Sequence, residues 1–449
     1  MFTRVFLSLA LLVAMPAWSQ VSTTDGGVGL AMTDQMQTPP PVSGEAYSTA
    51  VGSEKRSNYL RAGLVVTTAY SDNVLTALGT PVSDVIYSIF PTIAIDKATS
   101  RLRLMLTYSP GFTIYQPTSI RNQMDQNLAL NFQYRFSPHV AVTLGDSLIQ
   151  TSNVFNQPNS LSGGAISGSP QAPLFAVIAP VGDLLGNSAN TELTYQFSRN
   201  GMIGAGGAFT NLYYLNGASA ELYDSSSSGG SAFYSHRLSR NNYIGATYQY
   251  SRILAYSVNA TPAYPVNAHT EIQTQTFSFF YTIYLKPNFS LSFSGGPQYF
   301  DVVQFPLPAY ASWSPTLAAS LGWQGRHTNF AASYSRVITG GGGLLGAFQS
   351  NSVSAFARGQ FARTWSVGLA ASYANNKDVT PSSFESVDSG HSLYGTVSAH
   401  HQLSERLNME FGYTRMHQTY SQLTVISNAP DTNQAFISFS YNFTRPLGR

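Results

Sequence analysis

Cysteine is absent from this 449-residue chain. That excludes disulfides, thiolate metal sites, thiol nucleophiles and a lipid-modified N-terminal cysteine. Charge is scarce too: Asp, Glu, Lys and Arg make up 10% of the residues, against about 25% in ordinary globular proteins. The formal net charge of +2 is scattered, and without a basic run or an aromatic-basic platform it excludes nucleic acid as a partner. No helix-period apolar pattern or composition shift marks a domain boundary. Beyond Met15 no apolar run reaches the length of a transmembrane helix.

Aromatic residues, glycine and small polar residues fill the gap, with 27 Tyr, 27 Phe and 37 Gly. Their order is informative. In the stretch Ala435 to Phe443, Ala435, Ile437, Phe439, Tyr441 and Phe443 fall on one face. Ser438, Ser440 and Asn442 fall on the other, with Phe436 the sole apolar member of that set. A two-residue period of this kind specifies a strand with one apolar and one wet face. The pattern occurs about seventeen more times, which predicts an all-β fold: an antiparallel transmembrane β-barrel of about eighteen strands.

The connections sort by length. After even-numbered segments come tight turns such as Ser137-Pro138, Arg199-Asn200-Gly201 and Lys286-Pro287-Asn288, rich in the residues that turns require. After odd-numbered segments come longer polar loops, for example residues 339–349 and 375–388. A β-sandwich has no reason to separate loop lengths by side, whereas a barrel has short periplasmic turns and longer extracellular loops. Residues 1–19, with Arg4, the apolar run Val5 to Ala14, and Ala17 and Ser19, read as a secretory signal peptide. Residues 20–58 read as a disordered periplasmic segment and 59–449 as the barrel. The expected location is the bacterial outer membrane.

The strand faces can be assigned individually. In the third strand Leu102, Leu104, Leu106, Tyr108, Phe112 and Ile114 oppose Arg103, Thr107, Ser109, Thr113 and Tyr115. In the fourth, Leu128, Leu130, Phe132, Tyr134 and Phe136 oppose Asn127, Asn131, Gln133 and Arg135. Two strands resist. Asp146 falls on the apolar parity of Val142, Leu144 and Leu148, and the adjacent Gly145 predicts a bulge that resets the register. The seventh strand, near residues 202–215, is glycine-rich and shows no clear face.

Candidate pore-lining residues are the polar-parity Arg103, Arg135, Glu192, Arg358 and Glu410, with Gln133 and Tyr115. Charge inside a pore selects solutes; the same residues equally suit structural ion pairs across the wall. Two Glu against three Arg predict weak charge selectivity. Catalysis finds no support. Gly390-His391-Ser392-Leu393-Tyr394 lacks the second glycine of a nucleophile elbow. His400 and His401 adjoin in a strand and face opposite sides, against a shared metal site. The Gly340 to Gly343 run lacks a phosphate-loop lysine. Neither a cofactor nor a metal is expected.

Three segments resemble the opening of a family of outer-membrane β-barrel porins, some found with exopolysaccharide secretion systems. They are G-L-V-V-T-T-A-Y-S-D-N-V from Gly63, S-D-V-I-Y-S-I-F-P-T-I-A-I from Ser83 and L-M-L-T-Y-S-P-G-F-T-I-Y from Leu104. The last strand is similar to the C-terminal signal read by the barrel-assembly machinery, here extended past Phe443 by Thr444 to Arg449. The resemblance implies a barrel that passes small hydrophilic solutes or saccharides. It also implies an alternative, a conduit for a secreted polysaccharide in which inward aromatics such as Tyr115 and Phe356 stack on sugars. A structural or adhesive barrel without an open pore is the third reading. By similarity to general porins, the apolar centre of the loop 155–186, with Pro173, Leu174, Phe175, Val177 and Ile178, is expected to fold inward as a constriction; a lid packed on neighbouring loops or an extracellular extension of a hairpin are equal alternatives. Expected partners are outer-membrane lipid and the assembly machinery, with polysaccharide, export machinery and a homotrimer left open.

Overall fold

The computed structural model describes residues 57–74, 81–116, 118, 122–151, 183–215, 223–256, 269–286, 288–304, 308–325, 327–340, 346–379, 389–420 and 431–446. The expected signal peptide lies outside them, as do Pro173, Leu174, Phe175, Val177 and Ile178. The strands are β1 (Ser57–Ser71), β2 (Asp84–Ala98), β3 (Leu102–Tyr115), β4 (Gln123–Ser137), β5 (Val140–Thr151) and β6 (Leu184–Gln196). They continue with β7 (Gly201–Tyr214), β8 (Asp224–Arg237), β9 (Asn242–Tyr256), β10 (His269–Lys286), β11 (Phe289–Gln304) and β12 (Tyr310–Gln324). The last six are β13 (Thr328–Gly340), β14 (Ala347–Ala362), β15 (Trp365–Asp378), β16 (Ser389–Gln402), β17 (Leu407–Tyr420) and β18 (Thr432–Pro446).

Each strand pairs antiparallel with the next in sequence, as β1 does with β2 and β17 with β18. The sheet then closes: β18 pairs with β1 from Tyr59↔Pro446 to Ser71↔Gln434. Closure matters because no water is available in hydrocarbon to satisfy a strand edge, and a barrel has none. The final strand carries Thr444, Arg445 and Pro446 within this pairing, opposite Arg61, Leu60 and Tyr59.

Residues opposite one another in the register share a face of the sheet. One face is apolar and exposed: Leu64, Val66 and Tyr70 on β1, Tyr87, Ile89 and Ile93 on β2, Phe277 and Phe279 on β10, and Phe439, Tyr441 and Phe443 on β18. The other carries small polar side chains buried by the curvature of the wall, including Ser88, Thr113, Thr274, Thr282, Ser292 and Ser438. Hydroxyls on this inner face bond across strands, as in Ser88 to Thr113 at 3.2 Å, Ser335 to Ser352 at 2.6 Å and Thr396 to Thr414 at 3.0 Å. Large apolar side chains outside and hydroxyls inside invert the plan of a soluble protein. The chain is therefore a transmembrane β-barrel of the bacterial outer membrane.

Two expectations about register are corrected or completed. The β4–β5 register runs unbroken from Gln126↔Gln150 to Arg135↔Ala141 and shifts only beside the turn, so Gly145 makes no bulge. Asp146 stays on the outer face, where Asn187 Nδ2 donates to its Oδ1 at 3.1 Å. A local hydrogen bond replaces the register change in easing the carboxylate's position. On β7, Ile203, Phe209 and Tyr213 are exposed outward, while Met202, Thr210, Leu212 and Tyr214 are buried inward. Glycine has no side chain to declare a face, so the neighbours β6 and β8 fix it.

Candidate pore interior

All seven candidate lining residues fall on the inner parity, and the register gathers three of them. Arg103 on β3 stands opposite Gln133 on β4. Gln133 stands opposite Thr143, and Thr143 opposite Glu192 on β6. Arg103, Gln133 and Glu192 thus belong to one row across four adjacent strands, with a cation at one end and a carboxylate at the other. Arg135 is not in that row: it stands opposite Ala141, nearer the periplasmic turn. Glu410 lies on another wall, flanked by His400 and Ser438. His401, on the opposite face as expected, stacks on Trp365 with ring centroids 4.2 Å apart.

Tyr115 and Arg358 belong to a second row that runs through Ile86, Ala69, Phe436, Gly412, Ser398 and Gly368. Tyr115 is only 4% exposed, packed with Ala69 and Ile86. Its ring therefore presents no open face on which a sugar could stack. The expectation that it lines the pore as a stacking surface is corrected: the neighbouring Ala69 leaves room for the ring to lie within the wall.

The interior is less uniformly polar than strand alternation implies. Met202, Phe233, Tyr243 and Tyr284 form an apolar cluster on the inner face towards the periplasmic turns. Several inward aromatics lie flat over a glycine of the adjacent strand. A Cβ at Gly204 would meet Phe233 at 2.3 Å, one at Gly245 would meet Phe280 at 2.3 Å, and one at Gly412 would meet Phe436 at 2.7 Å. Laying the ring along the wall keeps its area out of the lumen, and glycine makes that close approach feasible.

The wall is interrupted at β12–β13. Pro297 on β11 stands opposite Pro315 on β12. Neither has an N–H, so this pair cannot exchange hydrogen bonds, and each turns its donorless nitrogen to its other neighbour. For Pro297 that neighbour is β10, whose ladder with β11 has a gap between Thr276↔Gln298 and Phe279↔Gly295. For Pro315 it is β13, and the β12–β13 ladder ends at Leu317↔Arg336, one bonding position short of Pro315.

Above that point β13 parts from β12 and turns inward, still joined to the sheet through β14 and β15. It approaches β9 and β10, strands four and three places away around the sheet. The Ile338 N–H donates to the inward side chain of Gln298 on β11 at 3.0 Å. The carbonyl of Arg336 receives the inward Thr316 Oγ1 at 3.0 Å. Ile338 and Ala347 are buried with Ile253, Ile272, Phe300 and Val302, the inward residues of β9, β10 and β11. β14 accompanies β13 throughout, up to Gly340↔Ala347. The sequence carried a signal for this. A proline inside a strand argues against continuous pairing on both sides, and Arg336 breaks the apolar parity of Phe330, Ala332 and Tyr334.

No protein-family model matches the chain. No curated protein matches its sequence significantly. Among solved structures, the chain is similar to the BauA ferric preacinetobactin receptor of Acinetobacter baumannii, at 9% identity and TM-score 0.43, over 87% of this chain and 80% of that one. It is similar to Pseudomonas aeruginosa OccK2 (OpdF) at 10% identity and TM-score 0.43, over 86% and 98% of the two chains. Pseudomonas aeruginosa OpdQ aligns at 9% identity and TM-score 0.41, over 87% and 100%. The assignment to the transmembrane β-barrels rests on the chain's own closed sheet and apolar outer face.

Proposed function

We propose that this protein is a passive outer-membrane channel for small hydrophilic solutes, saccharides among them. The observation that carries the reading is the inner face, where serine and threonine hydroxyls pair across strands at several interfaces around the wall while the outer face is lined by large apolar side chains. Eighteen strands enclose a lumen too wide for wall side chains alone to fill. Hydroxyl and carboxamide groups exchange hydrogen bonds readily with water and with neutral polar solutes, so passage needs no cofactor and no chemical step. The charged row from Arg103 to Glu192 holds one charge of each sign, which supports weak charge selectivity.

Single-channel recording of the refolded protein in a planar bilayer, with and without added oligosaccharides, tests this. Steady ohmic steps are expected, and block by oligosaccharides would identify saccharides as solutes. Silence from a demonstrably folded barrel would overturn the channel reading in favour of a closed conduit needing a partner, or a structural barrel.

A further inference from the structure

We infer that the inward end of the β13–β14 hairpin is the constriction of this pore. The inference rests on the channel reading above and adds the element that sets the size limit. Above Leu317↔Arg336 the hairpin is parted from β12, while β14 keeps its ladder with β15 up to Phe348↔Asp378, so the sheet bends inward here with β15 as its hinge side. The face that would have met lipid, with Ile338, Gly340 and Ala347, lies instead on the inner surface of β9, β10 and β11. A Cβ at Gly340 would meet Ile253 Cγ2 at 2.9 Å, and Ala347 is fully buried against the same cluster. Two layers of chain therefore occupy the lumen side where one would suffice to close the barrel.

The displacement has a cause in the sequence and is held by specific bonds. Pro315 cannot donate to Ile338, so this position of the ladder would offer one hydrogen bond, from the Ile338 N–H, in place of two. Gln298 takes the Ile338 N–H that the ladder would have used, and burial of Ile338 and Ala347 adds the apolar contribution. Arg336, on the lipid parity opposite Leu317, has its guanidinium beside the Gln349 side-chain amide, whose oxygen accepts once the amide is oriented towards it. On the opposite face Thr339 and Phe348, nearest the tip, are buried, and the part open to the lumen lies below them. It carries Val337, 38% exposed, above the hydroxyl pairs of Ser335 with Ser352 and Ser333 with Ser354. The hairpin residues on that surface are uncharged, with the Asp378 carboxylate of the adjoining β15 in the row of Phe348, so the hairpin itself sorts solutes by size and hydrogen bonding rather than by sign.

The absence of cysteine makes the test direct. In the full-length Ile253→Cys/Gly340→Cys variant, oxidation is expected to form a disulfide in the folded barrel, which reports the hairpin's position without reference to conductance. Pro315→Val with Gln298→Ala restores the missing donor and removes the inward acceptor. This pair should let β13 zip further along β12, with a shift to larger unit conductance and entry of larger polyethylene glycols. Adding the oxidised 253–340 disulfide should return both to wild-type values. Independently, a water-soluble thiol reagent on Val337→Cys should lower unit conductance. Failure of the disulfide to form in a folded barrel would overturn the placement. A disulfide that forms while every variant keeps the wild-type conductance would overturn the constriction. Silence in all variants despite the disulfide would overturn the channel reading itself.

Discussion

Asn187 on β6 donates its side-chain N–H to the carboxylate of Asp146 on β5, both on the outer face of the barrel, at 3.1 Å. The pair sits beside Leu144 and Leu148, where a carboxylate facing lipid is disfavoured. Replacing the donor by Asn187→Leu leaves the carboxylate without this partner and should destabilise the barrel by about 1–3 kcal/mol. Asp146→Leu removes the problem at its source and should stabilise by about 1 kcal/mol. Urea titrations of reversible folding into lipid vesicles, followed by tryptophan fluorescence, check both signs.

The glycine beneath each inward aromatic makes a separate prediction. Gly204→Ala places a Cβ against Phe233, so the ring must leave the wall and turn into the lumen. A lower unit conductance is expected, and Gly204→Ala/Phe233→Ala should recover it. Gly296 is stricter, because its Cβ would meet the backbone oxygen of Phe277 at 1.9 Å. Gly296→Ala should lower stability by about 1–3 kcal/mol through displacement of backbone, measured by the same titration.

The row from Arg103 to Glu192 predicts opposite shifts in ion preference. Glu192→Gln leaves Arg103 unbalanced and should move the reversal potential in a salt gradient towards anions; Arg103→Gln should move it towards cations. Both shifts should shrink as ionic strength rises, since screening lengths fall to about 3 Å at 1 M salt. Equal reversal potentials for both variants would show that these side chains do not face the permeation path.

Arg61 and Asp96 form an ion pair of 2.6 Å between the first two strands, with the arginine side chain 48% exposed. Solvent screens such a pair, so Arg61→Ala should change stability by less than about 1 kcal/mol. A larger loss in the urea titration would point to a role in strand closure beyond the charge interaction.

Much of this architecture was legible in the sequence because a strand facing lipid on one side and water on the other must alternate. The pairing of Phe439, Tyr441 and Phe443 against Ser438, Ser440 and Asn442 specified both faces of β18, and the sorting of short turns from long loops specified the barrel. The two-residue period is a property of one strand and needs no knowledge of its neighbours. What the tertiary structure decided depends on pairs of strands. The face of the glycine-rich β7 came from β6 and β8. The continuous β4–β5 register kept Asp146 outward, and the burial of Tyr115 depended on Ala69 two strands away. Pro315 shows the division most clearly: its missing N–H is evident in the sequence. Only the register, which sets it opposite Pro297 and directs its nitrogen to β13, determines where β13 parts from β12.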